Sequence, residues 1–270
     1  MDVVPAMAGL CGLSLRRGEG IWPYALVRTE DGEVLKEWNM PDGWWTPRAG
    51  GSQNGKFIAC MAREGVEAAG YDFSGPERAR VALIDVERRE LVWVADLVGH
   101  GAGTVRMIVI SDDGRYIAVA GWNNGTAMVD AKEGKVIWAK RPEHEISTGY
   151  AAFAPGGNVL YTAGSEGCVY CINCEDGSVE KELWATSTGE SIYGHRISAL
   201  AVSSDGKWLA AGTGPEGEVY VWNLEGDGKP HVLQHEDGCS IEIVAFSPDS
   251  KNVVSVGGGR LKVWRLPFRY

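Results

Sequence analysis

One short phrase recurs along this chain, and its recurrence limits the possible folds more than any other feature. Each copy has an apolar segment, a polar turn built on Asp, Asn, Gly or Ser, and a second apolar segment. We therefore predict a repeated pair of β-strands joined by a tight turn. The copies are RMIVISDDGRYIAVAG (106–121), YAAFAPGGNVLYTAG (150–164), SALAVSSDGKWLAAG (198–212), EIVAFSPDSKNVVSV (242–256) and the degenerate AGGSQNGKFIACMA (49–62).

The regions between the copies carry a second strand–turn–strand pattern, so the complete unit has four strands. Its apolar residues alternate with polar ones, and Asp-Gly, Glu-Gly and Asn-Gly turns bound it, as in β-hairpins. No long stretch has a helical period. We therefore predict an all-β chain. The turns are separated by 59, 43, 49 and 44 residues, at Gly55, Gly114, Gly157, Gly206 and Ser250.

Several of these segments resemble the WD-repeat family. VAFSPDS (244–250), VYVWN (219–223) and LKVWR (261–265) match its phrasing, and Gly99–His100 and Gly194–His195 match the pair that opens a typical repeat. The resemblance covers roughly residues 45–266 and implies a β-propeller, which is a ring of four-stranded antiparallel blades.

The chain also departs from that family. Asn223 and Arg265 stand where Asp follows Trp in a typical repeat, and Ile172 and Met128–Val129 replace the Trp itself. Tryptophans in the predicted fourth strands resemble the quinoprotein-type propeller repeat instead. These are Trp38, Trp93, Trp138 and Trp184.

The number of blades follows from the number of repeated units. The N-terminal segment 2–38 supplies one unit, and the last unit contains three strands up to Leu266, which leaves the total one strand short of six full blades. We predict six blades, with seven as the alternative, in a single domain over residues 1–270. The inner strand pairs of the other five units are 45–62, 104–120, 148–164, 197–212 and 241–257.

Charge and cysteine content limit the partners and the compartment. The formal net charge is −10 and no Lys/Arg-rich stretch occurs, so we expect no nucleic-acid binding. The apolar run 3–15 has no basic residues before it and is too short to span a bilayer, so we expect strands there and no membrane association. The six cysteines are too few for a disulfide scaffold, which predicts reduced thiols and a cytoplasmic protein.

Four of the five histidines precede the first strand of a predicted blade. A histidine that recurs in this way is expected to be structural and to bond a second-strand hydroxyl or a turn of its own blade. Metal binding or catalysis is the alternative. The four are His100, His144, His195 and His235, and we expect the fifth, His231, to face solvent.

The spacing of Cys168, Cys171 and Cys174 resembles the start of a metal-binding run. On a strand, however, Cys168 and Cys171 point to opposite faces, so we predict buried apolar side chains and no metal. No GxSxG, HExxH or phosphate-binding loop occurs, so we predict neither a cofactor nor an enzyme.

In blades of this type, one face carries the second-to-third and fourth-to-first strand connections. Here these are the long ones: 39–46, 63–79, 121–125, 140–147, 185–196 and 213–217. Aromatic and Arg side chains anchor interfaces, so we predict a partner-binding surface there. Its candidate residues are Trp44, Trp45, Arg63, Tyr71, Phe73, Arg78, Trp122, Arg141, Tyr193 and Arg196.

These features favour a non-catalytic scaffold that presents this face to a protein or peptide partner. Two alternatives stay open. One is an enzyme or small-molecule binder with a site at the channel mouth. The other is a structural subunit of a larger complex, in which a neighbour supplies the missing strand. The sequence does not determine the oligomeric state.

Overall fold

The computed structural model describes residues 3–5, 10–14, 24–38, 44–52, 55–64, 79–97, 104–122, 125–140, 148–186, 196–214, 216–235 and 238–266. Every regular element in these ranges is a β-strand. The predicted all-β class is confirmed. Accordingly, the described ranges contain no apolar helix long enough to cross a membrane.

The described strands form six antiparallel sheets, each built from consecutive strands. We call the strands of a sheet A to D in chain order. Five sheets have four strands, and the sixth has three among the described residues. The six predicted units therefore each form one sheet.

Two compact units divide the chain, Met1–Lys140 and Arg141–Tyr270, and each contains three sheets. The first unit has β1 (Val3–Pro5), β2 (Leu10–Ser14), β3 (Tyr24–Arg28) and β4 (Val34–Trp38); β5 (Trp44–Gly51), β6 (Phe57–Glu64), β7 (Ala79–Asp85) and β8 (Glu90–Asp96); and β9 (Thr104–Ile110), β10 (Tyr116–Trp122), β11 (Gly125–Asp130) and β12 (Val136–Lys140).

The second unit continues with the fourth, fifth and sixth sheets. Their strands are β13 (Thr148–Phe153), β14 (Val159–Gly164), β15 (Cys168–Asn173) and β16 (Val179–Trp184); β17 (Arg196–Val202), β18 (Trp208–Gly214), β19 (Glu218–Asn223) and β20 (Pro230–Gln234); and β21 (Ile241–Phe246), β22 (Asn252–Gly257) and β23 (Arg260–Arg265).

The recurring phrase folds into a recurring A–B turn. Ser203 Oγ donates a hydrogen bond to Asp205 Oδ1 over 2.6 Å, while the same carboxylate oxygen accepts the Lys207 amide. Ser247 and Asp249 repeat this arrangement at 2.6 Å. The serine hydroxyls hold the pKa of both carboxyls below the usual value, so the turns carry negative charge at neutral pH.

Strand C of a central sheet buries both of its faces. On β7, Val81 and Leu83 pack in a cluster with the third sheet, whereas Ala82 and Ile84 pack with the first. β19 repeats this in the second unit, where Val219 and Val221 pack with the sixth sheet and Tyr220 and Trp222 with the fourth. The core of each unit therefore lies between consecutive sheets.

A strand-D tryptophan joins the second sheet to the third. Trp93 Nε1 donates a hydrogen bond to the Ala131 carbonyl over 2.8 Å, and its ring covers Gly134 in the same C–D turn. Gly134 has a φ of +69°, and a Cβ there would lie 2.9 Å from Trp93 Cδ2. The turn therefore needs glycine both for its backbone conformation and for the tryptophan contact.

A directed chain of hydrogen bonds fixes strands B and C of the sixth sheet. Trp264 Nε1 donates to Ser255 Oγ over 3.1 Å, and Ser255 Oγ lies 2.7 Å from His235 Nδ1. His235 Nε2 lies 3.1 Å from the Gly257 carbonyl, which can only accept, so Nε2 carries a proton. In the neutral imidazole, Nδ1 then accepts the serine hydroxyl. His235 and Ser255 are both buried.

We predict that Gly134→Ala lowers the free energy of unfolding by about 2 kcal/mol or more. The reasons are the unfavourable positive φ and the displacement of the Trp93 ring. Gly32→Ala is the matched control, since Gly32 has a φ of +75° in a C–D turn with nothing within 4 Å of its added Cβ. It should cost about 1 kcal/mol. Urea unfolding measures both, and equal losses would mean that the Trp93 contact contributes nothing.

We also predict that Ser255→Ala lowers the free energy of unfolding by about 1–3 kcal/mol, because it leaves the half-buried Trp264 N–H and the buried His235 Nδ1 without their partner. Ser255→Thr retains the hydroxyl and should cost less in the same urea unfolding assay.

The fifth sheet offers the reciprocal test. Ala211 occupies the position of Ser255 on strand B, and Trp222 occupies the position of Trp264 on strand C. Trp222 Nε1 has no hydrogen-bond partner in the described part of the chain. Ala211→Ser should therefore raise the free energy of unfolding by about 1 kcal/mol. A loss of stability on this substitution would contradict the equivalence of the two positions.

Candidate functional site

The two ends of the sheets differ. The A–B and C–D turns lie at one end, which we call the turn end, and the B–C and D–A connections lie at the other, the loop end. Connections at the turn end are short and similar in length, as in 203–207 and 224–229. At the loop end they run from two residues (123–124) to fourteen (65–78). Variable connections on a fixed scaffold are where binding residues concentrate.

Strand A has a β-bulge close to the loop end. The register with strand B shifts between Thr148 and Tyr150, between Ile197 and Ala199, and between Ile241 and Ile243. The bulge re-aims Ser198, whose Oγ donates to the Ile241 carbonyl of the next sheet over 2.6 Å. Bulges of this kind fix how the strands enter the loop end.

Five of the ten candidate partner-binding residues lie on described strands, all at the loop end. Trp45 pairs with Arg63 and Trp44 with Glu64 in the second sheet, and Trp122 pairs with Thr104 in the third. In the second unit, Arg196 is exposed at the start of β17, where it pairs with Gly214. The other five, Tyr71, Phe73, Arg78, Arg141 and Tyr193, lie outside the described residues, so one shared surface stays a prediction.

The structure describes two of the five histidines. His235 makes the buried contacts given above. His231 was expected to face solvent, but it is half-buried, with its ring centroid 6.4 Å from that of Trp208. His100, His144 and His195 lie outside the described residues, so the structural role of the set of four stays a prediction.

The three closely spaced cysteines are buried, and Cys171 packs with Tyr161, Val169 and Leu183. Burial raises the pKa of the Cys171 thiol to about 12, and does the same for Cys60. Such thiols stay protonated at neutral pH, whereas nucleophilic attack and metal ligation need the thiolate. Within the described ranges, no group of three or more His, Cys, Asp or Glu side chains could hold a metal ion.

A pair of tyrosine–glutamate contacts at the loop end was missed by the sequence analysis. Tyr220 Oη donates to Glu218 Oε2 over 2.7 Å, and Tyr170 Oη lies 3.5 Å from Glu166 Oε2. Burial is the largest cause that raises the pKa of Tyr220, and the hydrogen bond with Glu218 raises it further. Both tyrosines end a Glu-Gly-x-Val-Tyr motif, at 166–170 and 216–220. Glu166 is the first residue of its motif, whereas Glu218 is the variable third residue of the other copy, so the motif alone predicts only the first contact.

These pairs suit recognition better than proton transfer. A tyrosine with a raised pKa stays protonated at neutral pH and acts as a hydrogen-bond donor. Its carboxylate partner is held in place and can accept further hydrogen bonds. The loop end of the second unit therefore carries these carboxylate acceptors and, at the start of β17, the exposed Arg196.

Comparisons with known proteins agree with this architecture. The family model described as outer membrane protein assembly factor BamB matches residues 12–233, and the model of the WD domain, G-beta repeat, matches residues 229–265. The crystal structure of the Cps50 (Swd1) β-propeller domain of Myceliophteria thermophila superposes with a TM-score of 0.68 at 14% identity. That match covers 98% of this chain and 83% of the other, and it shows a shared fold.

Curated relatives are similar over shorter stretches. The periodic tryptophan protein 2 homologues of Mus musculus and Dictyostelium discoideum are 34% and 30% identical over 76 and 82 residues, which are 27% and 30% of this chain. An uncharacterized WD repeat-containing protein of Synechocystis sp. is 24% identical over 201 residues, or 73% of this chain. The matches span 8%, 9% and 53% of those proteins.

The repeated phrase, the six consecutive sheets and these matches lead to one assignment. The BamB model covers most of the chain, and the WD model covers the last repeat. The chain therefore belongs to the repeat family that the outer membrane protein assembly factor BamB model describes, and it is a divergent WD-repeat β-propeller.

Proposed function

We propose that this protein is a non-catalytic scaffold whose loop end binds a protein or peptide partner. The observation that carries the proposal is the difference between the two ends of the sheets. Short connections of similar length close the turn end, whereas the loop end has connections of two to fourteen residues. A function that depends on variable loops belongs at the loop end.

The residue types at the loop end suit a protein interface. Trp44, Trp45 and Trp122 lie on strands there. Tryptophan and arginine are the residue types that most often dominate binding energy. In this proposal Arg63 and Arg196 pair with acidic groups of the partner, and the tryptophans bury apolar area.

The groups best able to do chemistry are engaged in structural contacts, which supports a non-catalytic role. Both ring nitrogens of His235 have partners, the Cys60 and Cys171 thiols are protonated, and Tyr220 donates to Glu218. A single domain over 1–270, a cytoplasmic location and the lack of a cofactor belong to the same proposal.

We predict that Arg196→Glu reduces capture of the partner at least tenfold, because it reverses an exposed charge at the loop end. Arg88→Glu is the matched control, since Arg88 is an exposed arginine in the C–D turn of the second sheet, at the turn end. Affinity capture from a cell extract with quantitative mass spectrometry measures both. Equal recovery by the two variants would contradict the choice of the loop end.

Replacing residues 63–79 with a four-residue turn extends this test. The variant should fold, because surface loops tolerate deletion when the strand ends stay close. It should lose the same partners as Arg196→Glu. If it recovers every partner of the intact chain, the long connection takes no part in binding.

A further inference from the structure

The outer edge of the second sheet lacks a protection that the other outer edges have. Lys or Pro within an edge strand opposes the addition of another chain. Four strands D carry one of these residues: Lys36 on β4, Lys140 on β12, Lys181 on β16 and Pro230 on β20. β8 reads Glu-Leu-Val-Trp-Val-Ala-Asp and has neither, and among the described residues it pairs only with β7.

The edge of β8 is also apolar and exposed. Leu91, Val92 and Val94 are 40%, 49% and 44% exposed, whereas each of the other four described strands D has one exposed large apolar residue. Val232 holds the position of Val94 on β20, and it is 48% exposed. The exposure of Val94 therefore belongs to the place of strand D in a sheet. Exposed apolar residues that cluster as they do on β8 mark an interaction surface.

The main chain of β8 offers hydrogen bonds at this edge. On β20 the His235 amide donates to the Gly217 carbonyl, so alternation turns the N–H and C=O of Val232 away from β19. Val94 holds the same position, and the register with β7 is regular from there to the end of β8. The N–H and C=O of Val94 and Asp96 therefore point outward, as a template for another strand.

A β-bulge limits the length of this template. The register with β7 shifts between Leu83 and Ile84, so regular pairing extends only from Trp93 to Asp96 of β8. The same shift occurs beside β4, β12 and β16, so it does not distinguish β8 from the protected edges. A partner strand should therefore be short and should bind weakly.

The charges of β8 favour a basic partner over a second copy. Its five apolar residues lie between Glu90 and Asp96, and β8 contains no cation. Asp96 bonds Arg80 of β7 over 2.6 Å, and Glu90 is exposed. An antiparallel copy of β8 that paired Trp93 with Trp93 would place Glu90 opposite Asp96, and like charges in such pairs are destabilising. Two copies would also each bring a net charge of −10, whereas a basic strand is attracted.

We propose that β8 accepts, as a fifth strand of the second sheet, an extended segment of a partner protein with apolar residues between two basic ones. The outward main-chain groups of Val94 and Asp96 hold the segment, and its apolar side chains cover Val92 and Val94. One of its basic residues approaches Glu90. The proposal uses none of the candidate residues of the loop end, so either proposal can fail while the other stands.

The test is amide hydrogen exchange of the intact chain, resolved residue by residue with NMR. The probe is the capped peptide KVTVTVK, which has an apolar centre and basic ends. In the protein alone, the Val94 and Asp96 amides should exchange as fast as those of an unstructured chain. A dissociation constant on the order of 0.1 mM would make about 1 mM peptide slow them about tenfold, since only the free fraction exchanges.

A second edge strand and a charge-reversed peptide provide the controls. The Val232 amide also points outward, but Pro230 begins its strand, so KVTVTVK should leave its exchange unchanged. The peptide EVTVTVE should slow neither the Val94 nor the Asp96 amide. Val94→Lys supplies the protection that β8 lacks and should abolish the effect of KVTVTVK, whereas Val232→Lys should leave it intact.

Four outcomes would overturn the proposal. Slow exchange of the Val94 and Asp96 amides at every protein concentration, without peptide, would mean that another segment of the same chain covers β8. Slow exchange that develops only as the protein concentration rises would mean that a second copy covers it. Fast exchange that KVTVTVK leaves unchanged would mean that β8 does not accept this class of strand. Equal slowing at Val94 and Val232 would mean that the peptide binds any outer edge.

Discussion

Burial of both faces of the middle strands is the constraint on which the rest of the structure depends. Val81 and Ala82 are adjacent on β7 and both are buried, yet they belong to clusters on opposite sides of the sheet. A sheet of this kind cannot be stable alone, because one face would lose roughly 1.5–3 kcal/mol for each large side chain left in water. Each sheet therefore needs a neighbour, and contacts such as that between Trp93 and Gly134 fix how neighbours meet.

The strands and turns could be predicted because their signals are local. A Ser-x-Asp-Gly turn between two apolar segments specifies a hairpin through hydrogen bonds that span only a few residues, as at Ser203 and Asp205. The strand limits were less accurate. The sequence analysis placed Trp44 and Trp122 in the connections 39–46 and 121–125, whereas they lie on β5 and β10, which extend further toward the loop end.

The features that the sequence analysis missed depend on register. Whether Ser198 reaches the next sheet depends on a one-residue bulge between Ile197 and Ala199 that no propensity encodes. His231 is half-buried because β20 brings it beside Trp208, which is distant in sequence.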